Sequence, residues 1–355
     1  MADADDRPPF KGRGATSNID GRFQRTSVEL EPGADPDEMP RAPETVVRHD
    51  PARSIISRNK SPDVPFDYSI NPYKGCEHGC IYCYARPSHA YLDLSPGLDF
   101  ETQIYAKDDA PALLRAELSK PSYRPSTICM GANTDPYQPA DRERRITRGI
   151  LEVCLEFGQP ITIITKGSLI ERDLDLLAAL AAQGLTSVAV SLTSLDPAIK
   201  RTLEPRAASA SRRLELMRLL SEAGVPVTTL IAPVIPAIND HEIERLLRAA
   251  HDAGARRAAF IFIRLPDEVA PLFKDWLATH YPDRAEHVMS IIRQSHGGEE
   301  YRTKFGMRMR GSGPYADLLS QRFRKTCAKL GMAMGEYASL DATRFRVPTA
   351  QGDLF

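Results

Sequence analysis

Cys76, Cys80 and Cys83 lie in one short stretch with the spacing C-x3-C-x2-C, and Tyr82 immediately precedes the last of them. Three thiolates on one loop can hold three irons of a [4Fe–4S] cube and leave the fourth iron without a protein ligand. An iron with an open position can bind a reactive ligand, so the loop reads as a site of chemistry at a cluster. An electron carrier would ligate every iron. Structural zinc is the competing reading, but it wants four ligands, with His78 or His89 supplying the fourth. No second cysteine pair accompanies the loop. Gly75, Gly79, Glu77 and His78 mark it as an exposed loop. Disulfides are not expected, because no secretory signal precedes it. Cys129 and Cys154 sit in apolar runs and read as core.

Such a loop needs a rigid frame. Six short β-rich runs supply one: Tyr68–Tyr73, Thr127–Met130, Ile161–Thr165, Ser187–Leu192, Val227–Ile231 and Ala259–Ile263. Helical spacing fills the intervals, over Arg142–Phe157, Leu169–Ala182, Ser209–Ala223 and Asp240–Ala253. Gly158, Gly184, Gly224 and Gly254 follow these helices, where a closing glycine is expected. Asp240 reads as an N-cap. Alternating strands and helices imply a parallel sheet. Periodicity alone leaves open whether that sheet is doubly wound or curls into a partial barrel. In a parallel barrel the chemistry sits at the C-terminal strand ends. Those ends are polar here, as in Gly131-Ala132-Asn133-Thr134-Asp135-Pro136-Tyr137-Gln138-Pro139, Thr165-Lys166-Gly167-Ser168 and Ser191-Leu192-Thr193-Ser194.

The cysteine loop with Tyr82 resembles the cluster loop of the radical S-adenosylmethionine (SAM) superfamily. The Asn133–Pro139 loop, the Thr165–Gly167 segment, the Glu204-Pro205-Arg206 turn and the Pro233–Asp240 loop are similar to its spore photoproduct lyase-like branch. The likeness covers roughly residues 64–265. It implies an α/β fold, a partial (β/α)6 TIM-like barrel. It implies that Cys76, Cys80 and Cys83 ligate a [4Fe–4S] cluster and that Tyr82 lies beside the adenine of SAM. Asn133, Thr134, Lys166 and Ser191 would hold the rest of SAM, and Arg206 would serve the same need as Lys166. An ammonium suits a carboxylate partner. The activity implied is reductive cleavage of SAM to a 5′-deoxyadenosyl radical that abstracts hydrogen from substrate. A non-catalytic iron–sulfur redox or sensor protein is the alternative. Tyr84, Tyr91 and Tyr137 are candidate relay or substrate residues, and Cys129 a candidate catalytic thiol. Spore photoproduct lyases carry a hydrogen-donating cysteine in the loop after the second strand. The loop Gly131–Asp135 has none, which sets this chain apart from lesion reversal by that relay.

Composition bounds the rest. The 355 residues are 42% hydrophobic and 26% charged, with a net charge of −1, as in a soluble protein with a full core. No apolar run approaches a membrane span, so the cytoplasm is the expected location. The expected division is a disordered N-terminal arm over 1–60, a core over 61–270 and a helical, basic extension over 271–355. The arm is rich in proline and carries charge in blocks, basic over 7–25 and acidic over 29–50. From Arg293 to Lys329 nine basic residues face three acids, with Tyr301, Phe305, Tyr315 and Phe323 among them. That mixture permits nucleic-acid contact. The expected partners are SAM, an electron donor such as a flavodoxin or ferredoxin, and a nucleic-acid substrate.

Overall fold

The β-branched runs pair side by side because their alternating side chains can bury both faces of a sheet. The structure is a computed structural model that describes residues 12–23, 44–335 and 340–348. Its strands are β1 (Val46–His49), β2 (Ile56–Arg58), β3 (Tyr68–Ile70), β4 (Tyr73–Lys74), β5 (Gln103–Ala106), β6 (Ile128–Met130), β7 (Ile161–Thr165), β8 (Thr186–Ser191), β9 (Val227–Val234), β10 (Arg257–Phe262) and β11 (Ala333–Met334). The large sheet runs β11-β10-β9-β8-β7-β6-β3-β2. The neighbours from β3 to β10 are all parallel. These are the six strands expected, in an open partial barrel, except that the first run splits: Tyr68–Ile70 is β3, and Tyr73 joins β4 of another sheet. β2 adds antiparallel to β3 at one margin, and β11 adds parallel to β10 at the other. A second sheet, β1-β5-β4, stands beside it.

The helices fall between the strands, and the four expected glycines close them with left-handed φ. Three helices differ from expectation: Leu169–Ala182 opens as a 3-10 turn over Ser168–Asp173 before its α-helix Leu174–Ala181, and the other two differ at Arg145 and Asp240. Arg145, at φ 53°, breaks Arg142–Phe157 into Asp141–Arg144 and Ile146–Phe157. The cause is Asp141, whose buried carboxylate accepts from Tyr73 Oη at 2.6 Å, Thr147 N at 3.1 Å and Arg172 Nη2 at 2.8 Å. Asp240 does not cap its helix. It starts a short 3-10 turn and accepts from Tyr315 Oη at 2.5 Å.

The arm also departs from expectation wherever it is described. Residues 44–60 contribute β1 and β2. Residues 13–15 bind Glu101, and Arg22 pairs with Glu268 at 2.8 Å. These are long-range polar contacts that composition does not reveal. The remainder of the arm, 1–11 and 24–43, lies outside the described residues.

The C-terminal part is helical over Val269–His280, Ala285–Ser295 and Pro314–Leu330. The last helix packs on Ile243–Asp252 through Arg322, which grips Glu244 at 2.8 and 2.7 Å, and on β10 through Phe323 against Phe260. Between these helices, residues 306–309 span the two margins of the open barrel. Met309 O accepts from Phe262 N at 2.9 Å. Gly306 N and Arg308 bind Asp63, just beyond β2. No helix among the described residues is long and apolar enough to cross a membrane.

Candidate active site

The cysteine loop leaves β4 through Gly75, at φ +80°, where a Cβ would come within 2.8 Å of Ile104 Cδ1 and 3.0 Å of Phe100 O. Cys76 N donates to Phe100 O at 2.9 Å, and Ile81 N to Leu203 O at 3.2 Å. Beneath the loop Arg86 is wholly buried. Its Nε donates to Cys80 O at 2.9 Å, its Nη1 to Pro96 O at 3.0 Å and Gly97 O at 2.8 Å, and its Nη2 to Glu101 Oε1 at 2.5 Å. Glu101 also accepts from Gly14 N at 3.0 Å and Ala15 N at 2.9 Å. With all three guanidinium nitrogens and both carboxylate oxygens engaged, this buried ion pair fixes the loop's shape. The loop is not exposed as the sequence suggested. Cys76, Glu77, His78 and Cys80 are all buried, because the N-terminal residues and the Glu204–Arg206 turn cover it.

All three cysteines line one cavity at the C-terminal ends of the parallel strands. Alternation along each strand aims Ile164 of β7, Ser191 of β8, Leu230 of β9 and Ile261 of β10 at that cavity. Tyr82, Tyr84, Asn133, Thr134 and Lys166 line it too, so the structure brings these candidates together. Lys166 Nζ stands 5.9 Å from the centroid of the Tyr82 ring. The Thr134 hydroxyl donates to Tyr73 O at 2.8 Å, and Asn71 Oδ1 accepts from Asn133 N at 2.8 Å. Tyr84 is half exposed, and its hydroxyl donates to Ala132 O.

Four candidates stand elsewhere. Cys129 is buried within β6, in register with Ser69 and Thr162, outside the cavity lining. Tyr137 is buried beneath the β7 loop, its carbonyl against Gly167. Arg206 pairs with Glu77 at 3.1 Å, behind the cysteine loop. Tyr91 is exposed against Phe23.

Charge is concentrated under the cavity. Glu204 accepts from Tyr82 Oη, Thr193 Oγ1 at 2.7 Å and Arg213 Nη2 at 2.5 Å. Burial opposes its ionisation, but Arg213 and Lys166 outweigh burial and hold its carboxyl at about 2. Asp135 behaves alike. Against burial, His78 and the Lys166 and Thr165 donors bring it to about 2. Burial pushes the Cys76 thiol up, and burial with Glu204 pushes Cys80 up to about 12. Thiols in this setting ionise when a metal ion supplies the compensating charge. The donor set therefore fits a cluster. Among the described residues no three His, Cys, Asp or Glu side chains are grouped as ligands of a single metal ion. A cube asks for something else, since its cysteines bind separate irons. Sequence reading missed Glu204, Asp135 and Arg213. Glu204 and Asp135 lie inside motifs singled out for their neighbours, whereas Arg213 sits in a helix pattern like any surface arginine.

Comparisons with known proteins agree with this geometry. The family model of the Radical SAM superfamily matches residues 70–250. An uncharacterised protein of Mycobacterium tuberculosis (strain H37Rv) is 39% identical over 241 residues, 66% of this chain and 71% of the relative. One of Methanocaldococcus jannaschii is 26% identical over 237 residues, 67% of this chain and 84% of the relative. Among solved structures, spore photoproduct lyase complexed with dinucleoside spore photoproduct has a TM-score of 0.60 at 17% identity, over 82% of each chain. A mutant of that lyase with bound AdoMet and the dinucleoside has a TM-score of 0.61 at 16% identity, over 83% of this chain and 82% of that one. Likeness at such identities speaks for the fold. The family match spans half of the chain, and it displaces the zinc and non-catalytic readings. This chain belongs to the Radical SAM superfamily and is an enzyme of that family, with SAM and a [4Fe–4S] cluster as its cofactors.

Proposed function

We propose that the enzyme abstracts a hydrogen atom from a nucleic-acid substrate. The observation that carries the radical chemistry is the single cavity lined by three cysteines, Lys166 and Ser191. Cys76, Cys80 and Cys83 would hold the cluster. Lys166 and Ser191 would hold the methionyl carboxylate and ribose of SAM, with Asn133 and Thr134 as the adjoining wall. Tyr82, its hydroxyl fixed by Glu204, would present its ring to the adenine. Arg206 acts through Glu77, not on SAM. When bound and reduced by a flavodoxin- or ferredoxin-like donor, the cluster and SAM together supply the 5′-deoxyadenosyl radical. The protein's own work is to orient SAM and keep water from the reacting atoms.

Two features support a nucleic acid. Cations and aromatic side chains meet in the basic segment that reaches the cavity lining at Met309, with Arg308 4.8 Å from the half-exposed Phe305 ring. The chain shares its fold with a lyase solved with a dinucleoside lesion. The loop Gly131–Asp135 lacks a cysteine, and Cys129 is outside the cavity lining, so the hydrogen relay of that lyase is not part of this proposal.

The test is anaerobic. Protein reconstituted with iron and sulfide is given SAM and a strong reductant, and 5′-deoxyadenosine is measured by mass spectrometry. Product from wild type and none from Cys80→Ala is expected. No product with an intact cluster and with oligonucleotides present would overturn the reading. Binding of DNA or RNA that weakens with salt is the second expectation. Its absence would sink the nucleic-acid part alone.

A further inference from the structure

Arg264 follows β10 and lines the cavity opposite the cysteine loop's Tyr84. Its guanidinium carbon lies 4.8 Å from the Tyr84 ring centroid and 6.0 Å from that of Tyr301. Nη2 reaches Tyr301 Oη at 3.4 Å, a long contact for a hydrogen bond. Nε is buried without a hydrogen-bond partner. The neighbouring arginines are placed differently: Arg308 is fastened to Asp63 and Arg206 to Glu77. Among the described residues no carboxylate pairs with Arg264.

A guanidinium N–H buried without an acceptor has lost its hydration and gained nothing for it. Two aromatic rings hold the group in place and leave its donor fork pre-oriented. An acceptor arriving through the cavity recovers the missing hydrogen bond as a charge-assisted one. The fork suits a phosphate or a carboxylate equally. The surroundings decide between them. Tyr84, half exposed in the cavity lining, and Tyr301 present aromatic faces around the same guanidinium, and such faces stack on nucleobases. An acidic peptide would use the cation and leave those faces idle.

We propose that Arg264 is a substrate-binding residue that takes a phosphate oxygen of the nucleic-acid chain next to the reacting nucleotide, an inference that rests on the nucleic-acid reading above. The experiment measures binding of fluorescent single-stranded oligonucleotides to the reconstituted holoenzyme with SAM, over a series of salt concentrations. Arg264→Gln is expected to weaken binding by about ten-fold or more. Its log–log salt slope should fall by about 0.7, one phosphate contact on a single strand. Arg264→Lys keeps the charge and is expected to restore the slope while binding less tightly than wild type, because an ammonium lacks the fork. Lys120→Gln, which removes an exposed charge just past the Ala110–Leu118 helix and away from the cavity lining, is expected to bind as wild type does. Iron content and melting temperature report whether each variant folds. Wild-type affinity and slope in Arg264→Gln would overturn the assignment while leaving the nucleic-acid substrate standing. Equal losses in the Gln and Lys variants would make Arg264 structural and overturn it too. If wild type binds an acidic peptide and no oligonucleotide, the substrate reading itself fails.

Discussion

Glu204 gathers a tyrosine, a threonine and an arginine on one buried carboxylate, and Tyr82 and Lys166 are placed through it. Glu204→Gln would leave the Arg213 charge buried and uncompensated, with an expected loss of about 3–5 kcal/mol in denaturant unfolding. The pH dependence follows from the same carboxyl, held at about 2 in place of 4.5. Its stabilisation is fully present above about 4.5 and disappears as pH falls towards 2. Acid titration of the wild type should show that slope, and Glu204→Gln should flatten it. Lys166→Met removes the cavity's ammonium, and SAM binding is expected to weaken by about ten-fold or more with iron content unchanged. Isothermal titration checks it. At this scale the sequence was readable where a residue type announces its chemistry. The cysteines were singled out by type and spacing, and Lys166 through the family resemblance. Glu204 was not, because a carboxylate inside a turn looks the same whether it faces solvent or a buried arginine.

Elements carry the positioning. The cysteine loop can hold its shape because Gly79 adopts φ +67° with no Cβ to meet Glu101 Oε2, which would lie 2.6 Å away. Gly79→Ala is expected to cost at least about 1 kcal/mol from backbone strain, and more from the contact with Glu101. The readouts are a lower melting temperature and less iron retained per chain. Strand positions were legible, since β-branched runs between helical intervals have few other uses. The break at Arg145 was not, because it depends on Tyr73, Thr147 and Arg172 converging on Asp141 from three parts of the chain. The N-terminal residues show the same limit. Nothing in a proline-rich, charged composition foretells that Gly14 and Ala15 donate to a carboxylate under the cysteine loop.

As a whole, the molecule is a sheet that curls without closing, and the segment 306–309 ties its two margins together. The curl was foreseen from the family resemblance, not from periodicity, because both open and curled sheets read as strand and helix in alternation. The excess of basic residues between 293 and 329 was legible, but its use was not. Arg308 and Arg322 are engaged with Asp63 and Glu244, so part of that charge fastens the fold. Asp63→Asn is expected to free the 301–311 segment, seen as faster limited proteolysis there while the rest of the chain stays resistant.

That fastening has an atmospheric side. A reduced iron–sulfur cluster is bleached by dioxygen, a gas small and apolar enough to use any gap that opens briefly in a protein wall. The tie between Asp63 and Arg308 is then a shield whose quality can be timed. On exposure to air, the brown absorbance of the Asp63→Asn enzyme should fade several-fold faster than that of wild type, and added SAM should slow both.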